Sequence, residues 1–285
     1  MFTFIGIGIV LGCTMLGYIM HGGQIAVLIQ ISEFVILGGA GLGALIASAG
    51  MDGFKKVIQQ TLGLLKPDPY TKPAFIDLLK MMYQLFNIAR KEGLLGLEKH
   101  IENPEESDVM KQFPSFLSNH HAVHFFCDTM KVILTGAVGP HDLNEMMELD
   151  LEIAHADAKA PGEALQATGD AMPGFGIVAA VLGVIITMGK IGGEAAAIGK
   201  SVAAALVGTF LGILLAYGVF GPIATSLANR LKGEEQYMNC IRFALFSFAR
   251  GESPMTCIEF ARRNIVPDIR PGFTELEAAV KEKAA

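Results

Sequence analysis

Four stretches of this chain carry no charge over a length that can cross a bilayer, and this constrains its fold more than any other feature. They are residues 2–20, 34–51, 171–189 and 201–229. A hydrocarbon core about 30 Å thick needs roughly 20 apolar residues at about 1.5 Å rise each. Single apolar runs also occur as core helices, but four of this length point to a membrane protein. Only 18% of residues are charged, against about a quarter in soluble domains, and the deficit sits in these blocks. A net charge of −6 and pI near 5.7 argue against a nucleic-acid partner, which is met by a basic face.

The cations set the orientation. Of 22 Lys and Arg, 11 fall between Lys55 and Lys159 and nine more between Arg230 and Lys283. Lys190 and Lys200 bracket the short third-to-fourth connection, and residues 21–30 hold none. Cytoplasmic loops carry the excess of Lys and Arg. The expected organisation is therefore two spans with a short outer loop (1–51), a cytoplasmic helical domain (52–170), two more spans with a short outer loop (171–229) and a cytoplasmic helical tail (230–285), with both termini inside. The apolar run at Phe2 has no preceding cation and no small-residue cleavage site after it, so it is read as a retained span rather than a signal peptide.

The two polar segments read as helical. Phe75, Leu78, Leu79, Met82, Leu85 and Phe86 recur at helical spacing, and Met130, Ile133, Leu134, Leu143, Met146 and Met147 continue the pattern. Breaks are expected at Pro67 and Pro69, Pro104, Pro140, Pro161, Pro254 and Pro271. No strand-like alternation persists. The fold class is an all-α membrane protein: four transmembrane helices with a large helical cytoplasmic part. Cys13, Cys127, Cys240 and Cys257 have no paired spacing and are read as reduced thiols, without a disulfide framework or metal cage.

Within the spans, Gly39 and Gly43 form a GxxxG step, and Ala204, Gly208, Gly212 and Ala216 form a small-residue stripe with Thr209 alongside. Such stripes mark helix–helix interfaces in lipid, within one chain or, for the fourth span, against another. No Asp, Glu, His, Lys or Arg occurs in 171–189 or 201–229. Glu33 is read at an outer edge and Asp170 at the inner mouth of the third span. An ion path needs a titratable group near the midplane, so if ions move here, a partner helix is expected to bring the carboxylate. Pro173 and Pro222 each remove a backbone donor. Pro173 reads either as a first-turn proline or as a deformable point beside an ion path.

Residues 169–180 (GDAMPGFGIVAA) resemble the third-span motif of the MotA family, and 207–218 (VGTFLGILLAYG) with Gly221-Pro222 resemble its fourth. Residues 90–103, with Gly93, Leu97, Glu98, Ile101 and Glu102, resemble the family's charged loop, and 270–277 (RPGFTELE) its tail. The resemblance implies a flagellar motor stator subunit in the bacterial inner membrane, part of a pentameric ring around two one-span MotB-like chains. Those chains carry the proton-binding Asp, and the ring's cytoplasmic part pushes on the rotor protein FliG. It assigns rotor contact to Arg90 and Glu98, and ion path and gating to Thr209, Ala180, Pro173, Pro222 and Asp170. The family implies no enzymatic activity, metal or cofactor; the translocated ion is expected to be H⁺. Sodium-type relatives such as PomA carry Thr at the position matching Ala180, whereas Ala180 leaves Thr209 as the one hydroxyl in its layer.

Other patterns are weaker. Gly199-Lys200-Ser201 lacks the upstream glycine of a phosphate-binding loop, since position 194 is Glu, and Gly39-x-Gly41-x-x-Ala44 lies in a span with no preceding strand. His120, His124 and Asp128 share a helical face, which reads as a polar surface rather than a metal site. The run Arg90, Lys91, Glu92, Glu98, Lys99 and Glu102 would by default be a solvated face with i,i+4 pairs. Alternatives to the stator are an ExbB/TolQ-type energy-transducing subunit, for which four spans are too many, and a passive membrane scaffold. An intramembrane enzyme would need catalytic side chains that the spans do not hold.

Overall fold

The computed structural model describes residues 2–190, 192 and 194–281, and all regular structure among them is helical. In chain order the helices are α1 (Phe2–Met20), α2 (Ile25–Leu28), α3 (Ile31–Gly63), α4 (Lys72–Glu92), α5 (Glu98–Glu102), α6 (Pro114–Leu117) and α7 (His120–Thr135). They continue with α8 (Pro140–Met188), α9 (Ala195–Leu215), α10 (Gly221–Ala249), α11 (Pro254–Arg263) and α12 (Phe273–Lys281). A π turn, Ala216–Phe220, joins α9 to α10. Four helices are long and apolar enough to cross a membrane: α1, α3, α8, and α9 with α10 taken as one.

The chain forms two compact units. One comprises residues 1–67 and 157–230, the other 68–156 and 231–285. These limits differ by several residues from those read at the edges of the apolar windows, because α3, α8 and α10 run on past the windows into polar sequence.

Three backbone features of the first unit have local causes. Gly50, at φ 68° and ψ 177°, divides α3 into two helical segments, a conformation essentially restricted to glycine. It falls where the apolar window ends and Asp52, Lys55 and Lys56 begin. The break expected at Pro161 does not occur: Pro161 and Pro173 both lie inside α8. An interior proline costs a helix about 3 kcal/mol, and α8 packs through Leu165, Met172 and Ala179 on either side of these sites, all buried. Pro173 is therefore an interior proline and not a first-turn one. At Pro222 the helix adapts differently. Gly221 N–H bonds Ala216 O five residues back, and this widened turn accommodates a ring that would otherwise collide with the carbonyl four residues before it.

The first unit is held by a close antiparallel crossing of α8 and α9. A methyl group built on Gly176 would lie 2.7 Å from Gly208 O, and one on Gly212 would lie 2.6 Å from Met172 O. One on Gly183 would lie 2.6 Å from the Ala205 methyl. The fourth-span stripe thus meets the third span of its own chain. Helix α3 adds a face of Glu33, Leu37, Gly41 and Leu45, with Gly41 against the Met172 side chain. Leu45, Val57, Leu64, Leu165, Ile223, Ala224 and Leu227 form an apolar cluster. Next to it Lys56 pairs with Asp157 at 2.8 Å, and Arg230 donates to Gly63 O near the end of α3. Outward faces stay apolar. No residue of α1 is buried, and Ile177, Val181, Ile185 and Ile186 of α8 are exposed, far more bare hydrocarbon than water tolerates on a soluble monomer.

The second unit is an ordinary helical core. The apolar face of α4 read from the sequence (Phe75, Leu78, Leu79, Met82, Leu85, Phe86) is fully buried. It packs against α10, with Phe86 stacked on Phe248 at 4.5 Å and Phe75 tilted on Tyr237 at 5.5 Å. Asn119 and Ser253 cap α7 and α11 through side-chain oxygens. Cys127, Cys240 and Cys257 are buried and free, and burial pushes the Cys127 thiol up to about 11. Such thiols are poor nucleophiles and act as small core groups.

Gly176→Ala or Gly212→Ala drives a methyl into backbone. Each is expected to cost about 1–3 kcal/mol, the range for overpacking, and to lower the thermal midpoint of the detergent-solubilised protein. Gly43→Ala, which meets nothing within 4 Å inside this chain, should leave that midpoint unchanged in the isolated subunit. Equal losses at all three positions would rule out the seam as the stabilising contact.

Candidate functional site

The residues expected along an ion path come from three helices of the first unit. Thr209 Oγ1, half-buried on α9, donates to Gly176 O on α8 at 3.4 Å, so its hydroxyl spans the crossing. Ala179 stands opposite Gly208, where an added methyl would meet it at 2.8 Å, and half-buried Ala180 follows it. Farther along, Gly169 packs against Phe220 and Gly221, which brings Pro173 and Pro222 into neighbouring turns of facing segments. Asp170 is exposed and accepts a hydrogen bond from Gln166 at 2.8 Å. The structure therefore gathers Gly208, Thr209, Gly212 and the Ala180 turn, and leaves Asp170 exposed at one end of the same seam. Gly39 and Gly43 stand apart, exposed, with no atom within 4 Å of an added methyl.

One residue carries a burial that the sequence reading did not include. Glu33, expected at an outer edge and found in the first turn of α3, is 4% exposed. Its carboxyl rests on the backbone of Gly208, where an added methyl would collide with Oε2. The reason is local. Helix α2 and the start of α3 pack against α9, carrying the loop and Glu33 inward. The sequence signal was present: Glu33 begins the i,i+4 series Leu37, Gly41, Leu45, which is the buried face of α3.

The charged loop lies in the second unit. Arg90 ends α4 in its last turn, Gly93 reverses the chain at φ 79°, and Glu98 begins α5. Arg90 and Glu98 are exposed, and neither has an ion-pair partner among the described residues. Leu95 between them is 80% exposed. The arrangement is thus two uncompensated opposite charges flanking a bare leucine, and not a face of mutually satisfied i,i+4 pairs. Behind it, His100 is buried, with Nδ1 2.7 Å from Ser107 Oγ and Nε2 without a partner among the described residues. Burial, then Lys99, holds its imidazole below the ordinary value, against the smaller pull of Asp108 and Glu92. Of the histidine face on α7, Asp128 is taken by Lys131 at 2.9 Å and neighbouring His121 by Glu234 at 3.3 Å, and Glu234 raises the His121 pKa.

Comparison with known proteins places this arrangement. A family model for the Motility protein A N-terminal region matches residues 4–93, and one for the MotA/TolQ/ExbB proton channel family matches residues 118–240. Motility protein A of Salmonella typhimurium is 36% identical over 281 residues, 99% of this chain and 95% of its own. The chain belongs to the MotA family. Chemotaxis protein LafT of Vibrio parahaemolyticus is 34% identical over 98% of each chain. Among solved structures, MotAB of C. jejuni superposes with a TM-score of 0.76 at 22% identity, covering 93% of this chain and 96% of that one. The flagellar MotAB stator complex of Bacillus subtilis follows at 0.73 and 22%, covering 90% and 92%. A MotA-family chain with four long apolar helices and bare outer faces is a multi-pass membrane protein.

The His100 environment fixes a pH response. A buried base whose folded pKa lies below its unfolded value of 6.5 leaves the native state unprotonated while the unfolded chain takes up a proton. Stability is then full above that value and falls as pH drops below it. Hydrogen exchange across residues 98–113 should therefore quicken as pH falls below about 6.5, once intrinsic exchange rates are corrected for, and His100→Gln should flatten that dependence. An unchanged slope in the variant would remove His100 as its cause.

Proposed function

We propose that this MotA-family chain is the stator subunit of a flagellar motor, coupling proton flow through the inner membrane to torque on the rotor. In this reading α1, α3, α8 and α9 cross the membrane in their apolar parts, the second unit is cytoplasmic and both termini lie inside. The observation that carries it is the full-length match to Motility protein A joined to the outward apolar faces of the first unit, which need lipid or further chains to cover them. Those further chains are copies of itself, five in the ring that the resemblance implies, and two one-span MotB-like subunits that bring a proton-carrying Asp. An ExbB/TolQ-type role is less well supported, because the N-terminal match over 4–93 is specific to Motility protein A.

The resemblance assigns the roles, and the placement of the residues supports them. Thr209, hydrogen-bonded across the seam at Gly176, and Ala180 line the path on this chain's side. Pro173 and Pro222, in neighbouring turns of the facing segments near Gly169, are the points at which protonation of the partner bends the seam. Asp170 stands at the inner mouth. The exposed pair Arg90 and Glu98, with Leu95 between, presents itself to FliG. Ion choice follows the oxygen supply: sodium requires several oxygen ligands in exchange for its water, whereas one hydroxyl with a partner carboxylate suffices for a proton.

Produced with its one-span partner in a stator-deficient strain, the chain should restore swimming whose speed is independent of external sodium and abolished by a protonophore. Speed that rises from zero with sodium would reverse the ion assignment, and no swimming with both chains in the membrane would defeat the stator reading. Arg90→Glu or Glu98→Lys should impair torque while protein level and recruitment stay normal, since exposed charges contribute only about 0–1 kcal/mol to stability. Motility lost only in step with protein level would mean that these residues maintain the fold rather than contact the rotor.

A further inference from the structure

We infer that the Glu33 carboxyl is itself a proton-binding site, seated on the bare backbone of Gly208 and the Ala179 methyl and lying in the Thr209 layer. This rests on the proton-driven reading above and adds to it a titratable group belonging to this chain.

Glu33 is 4% exposed; the Ser32 side chain hydrogen-bonds its carboxyl, and Oε2 has no hydrogen-bond partner among the described residues. An ionised carboxylate in apolar surroundings is costly unless a countercharge or a proton neutralises it. The seam around it offers no countercharge: residues 171–189 of α8 and 201–229 of α9 and α10 contain no Lys, Arg or His, and the nearest cation on α9, Lys200, lies eight residues before Gly208, about 12 Å along the helix. Binding a proton is the remedy left to this chain. Room for the group is built in, because a methyl at position 208 would occupy the place of Oε2 and would crowd Ala179.

Its level in the seam suits the role: the carboxyl lies against Gly208 and Ala179, which fall within the uncharged stretches of α9 and α8. The next residue after Gly208 is Thr209, whose hydroxyl reaches Gly176 O. The step is minimal: the carboxylate takes one proton to form an O–H bond at Oε2, then releases that proton, and no other bond changes. Paired with a carboxylate on the one-span partner, Glu33 gives the proton a second station in the same layer.

The test uses the complete complex in proteoliposomes, comparing wild type, Glu33→Gln and Glu33→Asp for co-purification with the partner, proton flux and infrared difference spectra between acidic and alkaline buffer. Glu33→Gln is expected to co-purify normally, to lower flux roughly 100-fold, as loss of a proton-transfer group does, and to lose a neutral-carboxyl band that wild type shows. Glu33→Asp is expected to recover part of the flux. Wild-type flux in Glu33→Gln overturns the inference and leaves the stator reading intact, whereas a silent wild-type complex defeats the stator reading itself. Should Glu33→Gln fail to assemble, Glu33→Asp decides: the neutral-acid band must shift with the shortened side chain, and an unshifted band overturns the proposal.

Discussion

The first unit depends on how closely α8 and α9 approach. Helices in lipid gain no hydrophobic energy from one another, so they associate through packing and a few polar contacts. Here glycine faces backbone: Gly176 against Gly208, and Gly212 against Met172 and Gly176, with no room for even a methyl. That approach lets Thr209 reach across to Gly176 O and leaves the pocket in which Glu33 sits. With side chains at these glycines the hydroxyl could not bridge and the carboxyl would be displaced. Packing and chemistry in this unit therefore rest on the same absent side chains.

The two units are built on different principles. The second buries its apolar residues inward, with aromatic stacking and capped helices, as a water-soluble domain does. At the α8–α9 crossing the first buries small residues and turns large ones outward, so that Ile177, Val181 and Ile185 are exposed while Gly176, Ala179 and Gly208 are enclosed. This inversion is what a chain shows when its surroundings are lipid rather than water. It also leaves Gly39 and Gly43 facing outward, free to receive another helix.

Much of this was legible in the sequence because periodicity and charge report directly on burial. The face of α4 could be read residue by residue, since 3.6-residue spacing selects one side of a helix, and the uncharged windows located the four long helices. What could not be read was register in space. Proline normally ends helices, yet α8 passes through Pro161 and Pro173 because the packing around Leu165 and Met172 outweighs the lost hydrogen bonds. The burial of Glu33 was not fully legible either, because it depends on how α2 and the start of α3 pack against α9.

The π turn before Pro222 bears on how the fourth span is compared with others. Along α9 small residues recur every fourth position: Ala204, Gly208, Gly212, Ala216. A strict step of four next reaches Phe220, and the stripe stops. The helix takes a wider turn there, since Gly221 N–H bonds Ala216 O. Phe220 carries on the contact with α8, its Cβ against Gly169, so the small residue at that level belongs to the third span. Any comparison that slides a rigid helical wheel across this point turns everything beyond it by about 100°, mistaking the inward face for a lateral one.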